Sequence, residues 1–477
     1  MTETAGMRAL LDLEESAPDQ LFTRIRSIGL PIWPLARWPI SRAIAETDIG
    51  TTLPTYQRPS VVQQTAVALR RSLPNPHSLR RTPQVDHLFL VSGWTKSVLP
   101  GGYRNWLADD FANALGDDAA IVQDAYVDAL SRGDQHPLTP RTFTLARAND
   151  QVARRAVRHP LEPTERRELD QTMREVFELL DFPVTEAGRE RAIADILRRA
   201  DRARHARDAF GLLLDRTSPR RIYMQTAAYG NRAPEIALAH ERGIEVAELQ
   251  HGWIGSSHAA YNVGRAMRTP DLVRCLPDTL LGYGEYWGRD IRFPGRFEPI
   301  GKPTLDRTTL EVTPWDDRPR SVLFVSSNFE HDLVDRTLLA LRAALPDDWT
   351  LVLRPHPVER ATAARRHADV LARDGVVLDV SADGGAALAA SRAVIGFSST
   401  MLFEALAYGC HTAVIESSLA EHYASAEIFP TRIDRELTRV ADAAQGFLHT
   451  PTTVEQGLAD SVWRPDAIAA FRRFAAA

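Results

Sequence analysis

The sequence predicts an α/β protein with two Rossmann-like parallel-sheet domains facing a cleft, preceded by an N-terminal extension. Three observations predict this. From Arg220 onward, short apolar runs of strand length alternate with segments of helical period. The alternation restarts at Ser321 after a segment carrying Pro314, Trp315 and Pro319 that reads as an interdomain linker from Thr304 to Arg320. Several apolar runs end in Gly, Ser or His, residues that suit the carboxyl edge of a parallel sheet, where ligands bind. The boundaries that follow are 1–84 for the extension, 85–305 for a first domain with a helical insertion, 306–460 for a second domain, and 461–477 for a C-terminal helix that packs back.

In the extension, Gly29–Ile44 holds three prolines and two tryptophans, which predicts an extended or turn-rich stretch before a short helix. Packing on the body of the protein is the first reading of Trp33, Trp38, Arg37 and Arg42, and peripheral contact with a membrane surface is the second. His87–Ser92 reads as a buried strand leading into a glycine-containing loop, Gly93–Tyr103, with Lys96 a candidate ligand contact, and then a helix from about Asn105. The acid pairs Asp109-Asp110 and Asp117-Asp118 read as helix-surface acids rather than metal ligands. Leu145 to about Thr217 predicts two or three helices.

In the two alternating series, strands are predicted at Arg221–Met224, Glu245–Leu249, Leu280–Tyr283, Phe297–Ile300, Ser321–Val325, Thr350–Leu353, Val376–Leu378 and Ala393–Ile395. Helices are predicted at Ala233–Arg242, Asp332–Ala344, Ala361–Asp374, Ala386–Ser391 and Met401–Tyr408, and a further helix at Pro465–Phe474.

Composition narrows the function. The 477 residues are 44% hydrophobic and 25% charged with a formal net charge of -5, so nothing global points to nucleic acid. Only Lys96 and Lys302 among 57 basic residues are lysine, so arginine runs such as Arg198–Arg207 read as solvated helix faces. Two cysteines, Cys275 and Cys410, supply neither a disulfide framework nor a metal cluster. No apolar run approaches the roughly 18 residues of a membrane span and no signal pattern opens the chain, which predicts a cytoplasmic protein.

Chemistry gathers in two places. In the second series, the Ala393–Ile395 strand leads through Gly396 to Ser398, Ser399 and Thr400 and then into a helix stopped by Gly409. Hydroxyls and unpaired N–H groups at a helix N-terminus favour a phosphate, although one hydroxyl acting only as a cap is the plainer alternative. Glu404, one turn on in an apolar run, calls for a partner such as a ligand hydroxyl. The Thr350–Leu353 strand ends in Arg354-Pro355-His356-Pro357, whose prolines stiffen His356 at a strand end. Ser326, Ser327 and Asn328 follow another strand and can line the same crevice. In the first series, Gln250-His251-Gly252 follows a strand directly, with His258, Tyr261 and Glu248 close in sequence, which places a candidate general base at a sheet edge.

The R-P-H-P motif, the G-F-S-S-T-M-L-F-E-A-L-A-Y-G stretch and E-L-Q-H-G-W-I-G-S-S-H-A-A-Y, in this sequence, resemble bacterial capsule and cell-surface polysaccharide glycosyltransferases of the GT-B fold. They are more distantly similar to teichoic acid glycerophosphotransferases and bacterial polysialyltransferases. The likeness spans about residues 87 to 460. It implies a metal-independent transferase with no cofactor beyond its nucleotide-sugar co-substrate, working on a glycan or lipid-linked acceptor, cytoplasmic or peripheral on the inner face of the membrane. It implies a donor domain in which Arg354, His356, Ser326, Ser398, Ser399, Thr400 and Glu404 hold the nucleotide and its phosphates. It also implies an acceptor side in which His251 is the catalytic base, flanked by Gln250, His258, Tyr261 and Lys96. Three rivals remain: a CDP-glycerol-type glycerophosphotransferase, a nucleotide-sugar 2-epimerase, and a noncatalytic scaffold of polysaccharide assembly.

Overall fold

The computed structural model describes residues 3–49, 77–99, 101–124, 137–326, 331–357, 359–381, 384–417, 420, 424–449 and 456–477. Ser327 and Asn328 lie outside these. The chain forms two compact units. The first comprises Glu3–Gly282, Asp290–Glu298 and Phe471–Ala477; the second comprises chiefly Tyr283–Arg289 and Pro299–Ala470. Among the described residues no helix is long and apolar enough to cross a membrane.

The first unit opens on the Ala5–Ser16 helix, capped by the Thr4 hydroxyl accepting from the Met7 N–H at 3.0 Å. A short antiparallel ribbon follows, β1 (Arg24–Ile25) with β2 (Leu30–Pro31). The sequence predicts irregular chain up to Ile44, yet Trp33–Ile49 is one helix of 17 residues. Pro34 sits in the first turn, where its missing N–H costs nothing. Pro39 lies inside, and burial of Trp33, Ala36, Ile40 and Ile44 outweighs its lost hydrogen bond. Packing on the body of the protein is therefore what the tryptophan segment does. Glu14 is 0% exposed and fully satisfied: it accepts from Arg37 Nε at 2.6 Å, Trp33 Nε1 at 2.8 Å and the Gly264 N–H at 2.7 Å. Arg37 in turn donates to the carbonyls of Ala259 and Asn262, which ties the segment after His258 to both N-terminal helices.

The first sheet is built from β3 (His87–Ser92), β6 (Ala119–Asp124), β7 (Thr142–Thr144), β8 (Arg221–Met224), β9 (Glu245–Leu249), β10 (Thr279–Gly282) and β11 (Arg296–Pro299), in the order β11-β10-β9-β8-β3-β6-β7. The pairings from β10 through to β7 are parallel. Between β3 and β6 lies a hairpin of β4 (Lys96–Leu99) and β5 (Gly102–Asn105). This hairpin replaces the open loop expected around Lys96, and the following helix starts later, at Asp109. Asp109 is not a surface acid; it is 4% exposed and accepts from the Asn105 N–H at 3.1 Å, holding the end of the hairpin. Leu145–Thr217 holds three helices, Ala146–Arg158, Pro163–Leu179 and Glu186–Thr217, as its periodicity predicts. The final helix, Ala467–Ala476, contributes Phe471 and Phe474 to the first unit. Phe471 packs 4.5 Å from Phe111 and 5.2 Å from Tyr223, and the Arg221 guanidinium covers the Phe474 ring at 4.5 Å.

The second unit holds β12 (Ser321–Val325), β13 (Thr350–Arg354), β14 (Val376–Leu378), β15 (Ala393–Gly396), β16 (His411–Ile415) and β17 (Arg432–Ile433). Their order is β14-β13-β12-β15-β16-β17 and every pairing is parallel. The core is a continuous apolar layer around Val322, Phe324, Leu351, Leu353 and Ile395. Most of residues 307–320, expected as a linker, are exposed, but Arg318 among them is buried and donates to the carbonyls of Tyr408, Ser391 and Thr313. The helix expected over Ala361–Asp374 breaks at His367, whose buried ring contacts Asp335 Oδ1 at 2.6 Å, leaving Arg360–Arg366 and Ala368–Leu371. Two α/β units with parallel sheets match the predicted fold class.

Candidate active site

In the second unit the chain runs from β12 outward to β13 and β14, then returns to the other side of β12 as β15. Such a reversal opens a crevice at the carboxyl ends of the two strands that flank it. The register makes those ends level, because Val325 lies opposite both Arg354 and Gly396. Ser326, His356 and Ser398 therefore follow three adjacent strand ends. Gly396 is needed there: a Cβ at this position would lie 2.5 Å from Val325 Cγ2 and 2.8 Å from the Val325 carbonyl oxygen.

The residues expected at this site divide into two groups. Ser399 is the cap of the Thr400–Ala407 helix, its Oγ accepting from the Met401 N–H at 3.2 Å. Ser398 and Thr400 flank it, half-buried, and among the described residues their hydroxyls have no hydrogen-bond partner. His356 is exposed at its strand end. Crowding by its surroundings, with a smaller push from Arg360, holds its ring below the ordinary imidazole range against the field of Glu359. The second group is engaged within the chain. Ser326 accepts from the His356 N–H at 3.3 Å and lies 3.4 Å from Glu359 Oε2, so it supports the backbone of His356. Arg354 is 4% exposed and bound to Asp379, to Ser381 Oγ at 3.2 Å and to the Ser381 carbonyl at 3.1 Å. The partner that Glu404 requires is Lys302, whose Nζ lies 2.7 Å away and 5.6 Å from the ring centroids of Tyr283 and Trp463.

The first sheet reverses in the same way between β3 and β8, and β9 lies beside β8. At the end of β9, Gln250 is buried and donates from Nε2 to the Gly252 carbonyl at 2.8 Å, shaping the turn that carries His251. Here Tyr229, not singled out by the sequence, joins the group. Its hydroxyl lies 3.1 Å from His258 Nε2 and 3.4 Å from His251 Nε2. The Trp38 ring packs 4.2 Å from Tyr229 and stacks on His258 at 5.8 Å, Trp253 closes on His258 at 5.7 Å, and Tyr261 at 4.7 Å. Below them Glu248 accepts from the Tyr261 hydroxyl at 2.8 Å and the Ala228 N–H at 2.7 Å.

This aromatic packing excludes water and moves all three titrating groups toward their neutral forms. Burial lowers His251 to about 4, against the opposing Leu249 carbonyl, and lowers His258 to about 3 with help from His251. The ring of His251, the candidate general base, therefore titrates well below neutrality. Burial raises Glu248 to about 7 despite its two donors. The Nδ1 atoms of both histidines are buried without a hydrogen-bond partner. Lys96 stands on β4 with Nζ 4.1 Å over the Tyr103 ring. Among the described residues no group of three His, Cys, Asp or Glu is placed to hold a metal ion.

No protein-family model matches the chain, and no curated protein matches it either. Among solved structures, UDP-GlcNAc 2-epimerase from Methanocaldococcus jannaschii is similar at 10% identity, covering 82% of this chain and 100% of that one with a TM-score of 0.47. The glycotransferase of kitacinnamycin is similar at 15% identity, covering 83% and 98% with a TM-score of 0.43. UDP-GlcNAc 2-epimerase from Neisseria meningitidis, bound to UDP-GlcNAc, is similar at 9% identity, covering 81% and 98% with a TM-score of 0.41.

Proposed function

We propose that the protein is a glycosyltransferase that moves a sugar from a nucleotide-activated donor to a growing surface polysaccharide. The observation that supports it most is the level alignment of three strand ends at the β12/β15 reversal, which brings Ser398, the Ser399-capped helix start, Thr400 and His356 to one edge. Helix N–H groups and hydroxyls there suit a diphosphate, and donors already in place stabilise charge on a departing phosphate oxygen. In the first unit His251 is uncharged at neutral pH, and its unpartnered Nδ1 is the ring atom that can take the proton of an attacking acceptor hydroxyl. Its low basicity makes it effective only as charge develops on that oxygen. Gln250 and Tyr229 act through the placement of the ring. The resident residues supply positive dipole and hydrogen bonds to the leaving group without a cation.

A nucleotide-sugar 2-epimerase is the second reading, and the His251, His258 and Glu248 group favours it, because an epimerase needs an acid/base set around the sugar ring. The two readings separate by incubation with a nucleotide sugar in deuterated water. An epimerase exchanges the C2 hydrogen without any acceptor; a transferase releases nucleotide only when an acceptor hydroxyl is present.

The donor site is tested by thermal melting of the protein with CMP, CDP, UDP, GDP and TDP. A nucleotide at about 100 times its Kd stabilises the folded state by about 2.7 kcal/mol. One nucleotide should raise Tm by several degrees, and His356→Ala should lose the effect. No shift with any of the five at millimolar concentration would remove the donor-site reading.

A further inference from the structure

A carboxylate that the sequence does not single out stands at the crevice of the second unit. Glu359 is 5% exposed and caps the Arg360–Arg366 helix. Its N–H donates to the His356 carbonyl at 2.8 Å, closing the turn that follows β13. Its side chain joins three further segments. Oε2 lies 3.4 Å from Ser326 Oγ at the end of β12, and that Oγ accepts from the His356 N–H at 3.3 Å. A hydroxyl can donate to a carboxylate and accept from an N–H at once, so Ser326 links Glu359 to the backbone of His356. Oε1 is paired with Arg366 and lies 3.5 Å from Nδ1 of His331, the first residue of the His331–Ala344 helix.

The two ring nitrogens of His331 differ. Nδ1 is buried near the Glu359 carboxylate and has no closer polar partner. Nε2 is not buried and has no hydrogen-bond partner among the described residues. A protonated imidazole donates from both nitrogens, so this ring can hold Glu359 with one and an anion with the other. The charges around it favour an anion. Arg366 balances Glu359, and Asp379 balances Arg354. Arg360 has no ion-pair partner among the described residues and lies within the field of Arg354 and Asp379. This edge is therefore net positive before either histidine takes a proton.

We propose that Glu359 is the positioning residue of this edge, setting two imidazoles, His356 through Ser326 and His331 through its ring, to hold the diphosphate of a nucleotide donor. The inference rests on the donor-site reading and deepens it, because His331 becomes a second phosphate-binding side chain. Glu359 does not touch the ligand; with Arg366 neutralising it, it acts through the rings. Two rings on separate elements suit two phosphate groups better than one. Burial lowers the His356 ring, Glu359 opposes that push, and Arg360 adds to it, so the carboxylate also favours the charged form of His356.

The test is made on the full chain. Proton NMR without ligand follows the His356 ring through pH, its signal identified by its absence in His356→Gln. Glu359→Gln keeps an acceptor for Ser326 and removes the charge, so it should move the His356 titration to lower pH. Calorimetry with inorganic pyrophosphate and inorganic phosphate at pH 6 and pH 8 reads the ligand. Pyrophosphate should bind more tightly than phosphate, and more tightly at pH 6 than at pH 8. His331→Gln should weaken pyrophosphate about tenfold or more at pH 6, the size of one hydrogen bond to a charged group, and much less at pH 8. The His331 side chain is 36% exposed, so this variant keeps the inference testable if Glu359→Gln fails to fold. A His356 titration that Glu359→Gln leaves unmoved, no preference for pyrophosphate over phosphate, or a His331→Gln effect that is absent or equal at both pH values would overturn the inference. If the wild-type chain binds neither pyrophosphate nor any of the five nucleotides, the donor-site reading fails together with the phosphate half of the inference, while the ring titration still decides whether Glu359 sets His356.

Discussion

Replacing Arg37 with methionine leaves the Glu14 carboxylate without its cation in a site that is 0% exposed. Breaking one side of a buried ion pair costs about 3–5 kcal/mol because an uncompensated charge remains. Here Trp33 Nε1 and the Gly264 N–H still donate to Glu14, at 2.8 and 2.7 Å, which places the cost near the lower end, about 3 kcal/mol. For a unit of about 300 residues, with about 2.1 cal/mol/K of unfolding entropy per residue, Tm moves about 1.6 °C per kcal/mol, so Arg37→Met should lower Tm by roughly 5 °C. The decisive assay is the pair of variants rather than the single one. Adding Glu14→Gln removes the stranded charge while keeping an acceptor for Trp33, so the double variant should melt above Arg37→Met by at least half of the loss. Circular dichroism melts and urea titrations read both. A shift under 2 °C in Arg37→Met, or a further loss on adding Glu14→Gln, would refute the assignment of this pair as a charge-compensated buried anchor. Because Arg37 also holds the Ala259 and Asn262 carbonyls, the single variant should loosen the segment that carries His258.

Two groups of the histidine cluster make opposite contributions to pH dependence. His251, lowered to about 4 in the folded state, stabilises fully above the unfolded value near 6.5 and loses up to about 3 kcal/mol as pH falls from 6.5 to 4. Glu248, raised to about 7, stabilises fully below the unfolded value near 4.5, and that contribution is lost by a similar amount as pH rises through 7. His251→Gln should therefore flatten the loss of stability between pH 7 and 5, and Glu248→Gln should steepen it; urea titrations at both pH values showing the same dependence in all three proteins would sink the account. Gly396→Ala forces a methyl to within 2.5 Å of Val325, and overpacking of this kind costs about 1–3 kcal/mol. Its displacement of the serine turn should also reduce the nucleotide-induced Tm shift, which the same melting experiment measures.

Much of the fold was legible because strands buried on both faces are nearly continuous apolar runs. Ser321–Val325 and Glu245–Leu249 sit where their sequences place them. The Ala119–Asp124 strand was missed, since two alanines and a Gln-Asp end dilute its signal, and so was His411–Ile415. The Trp33–Ile49 helix was hidden by its prolines, whose cost is met by burial that no local pattern shows. At the candidate site, the serine turn and His356 were readable from strand ends, whereas the roles of Arg354 and Glu404 were decided by partners far along the chain. Lys302 carried a signal, as one of two lysines in an arginine-rich chain and directly before Pro303. Tyr229 also carried one, standing five residues past the end of β8.

The Tyr229 hydroxyl has a single hydrogen and two imidazole neighbours. When it points at His258 Nε2, the His251 Nε2 must carry its own hydrogen to face the phenol oxygen, and His251 Nδ1 is left as a bare lone pair. When it points at His251 Nε2, that hydrogen moves to Nδ1, which becomes a donor and stops being a base. Rotation of one phenol hydrogen among His258, His251 and Tyr261 thus decides which imidazole nitrogen is left with a bare lone pair. A bound hydroxyl that chooses one histidine sets the polarity of the other.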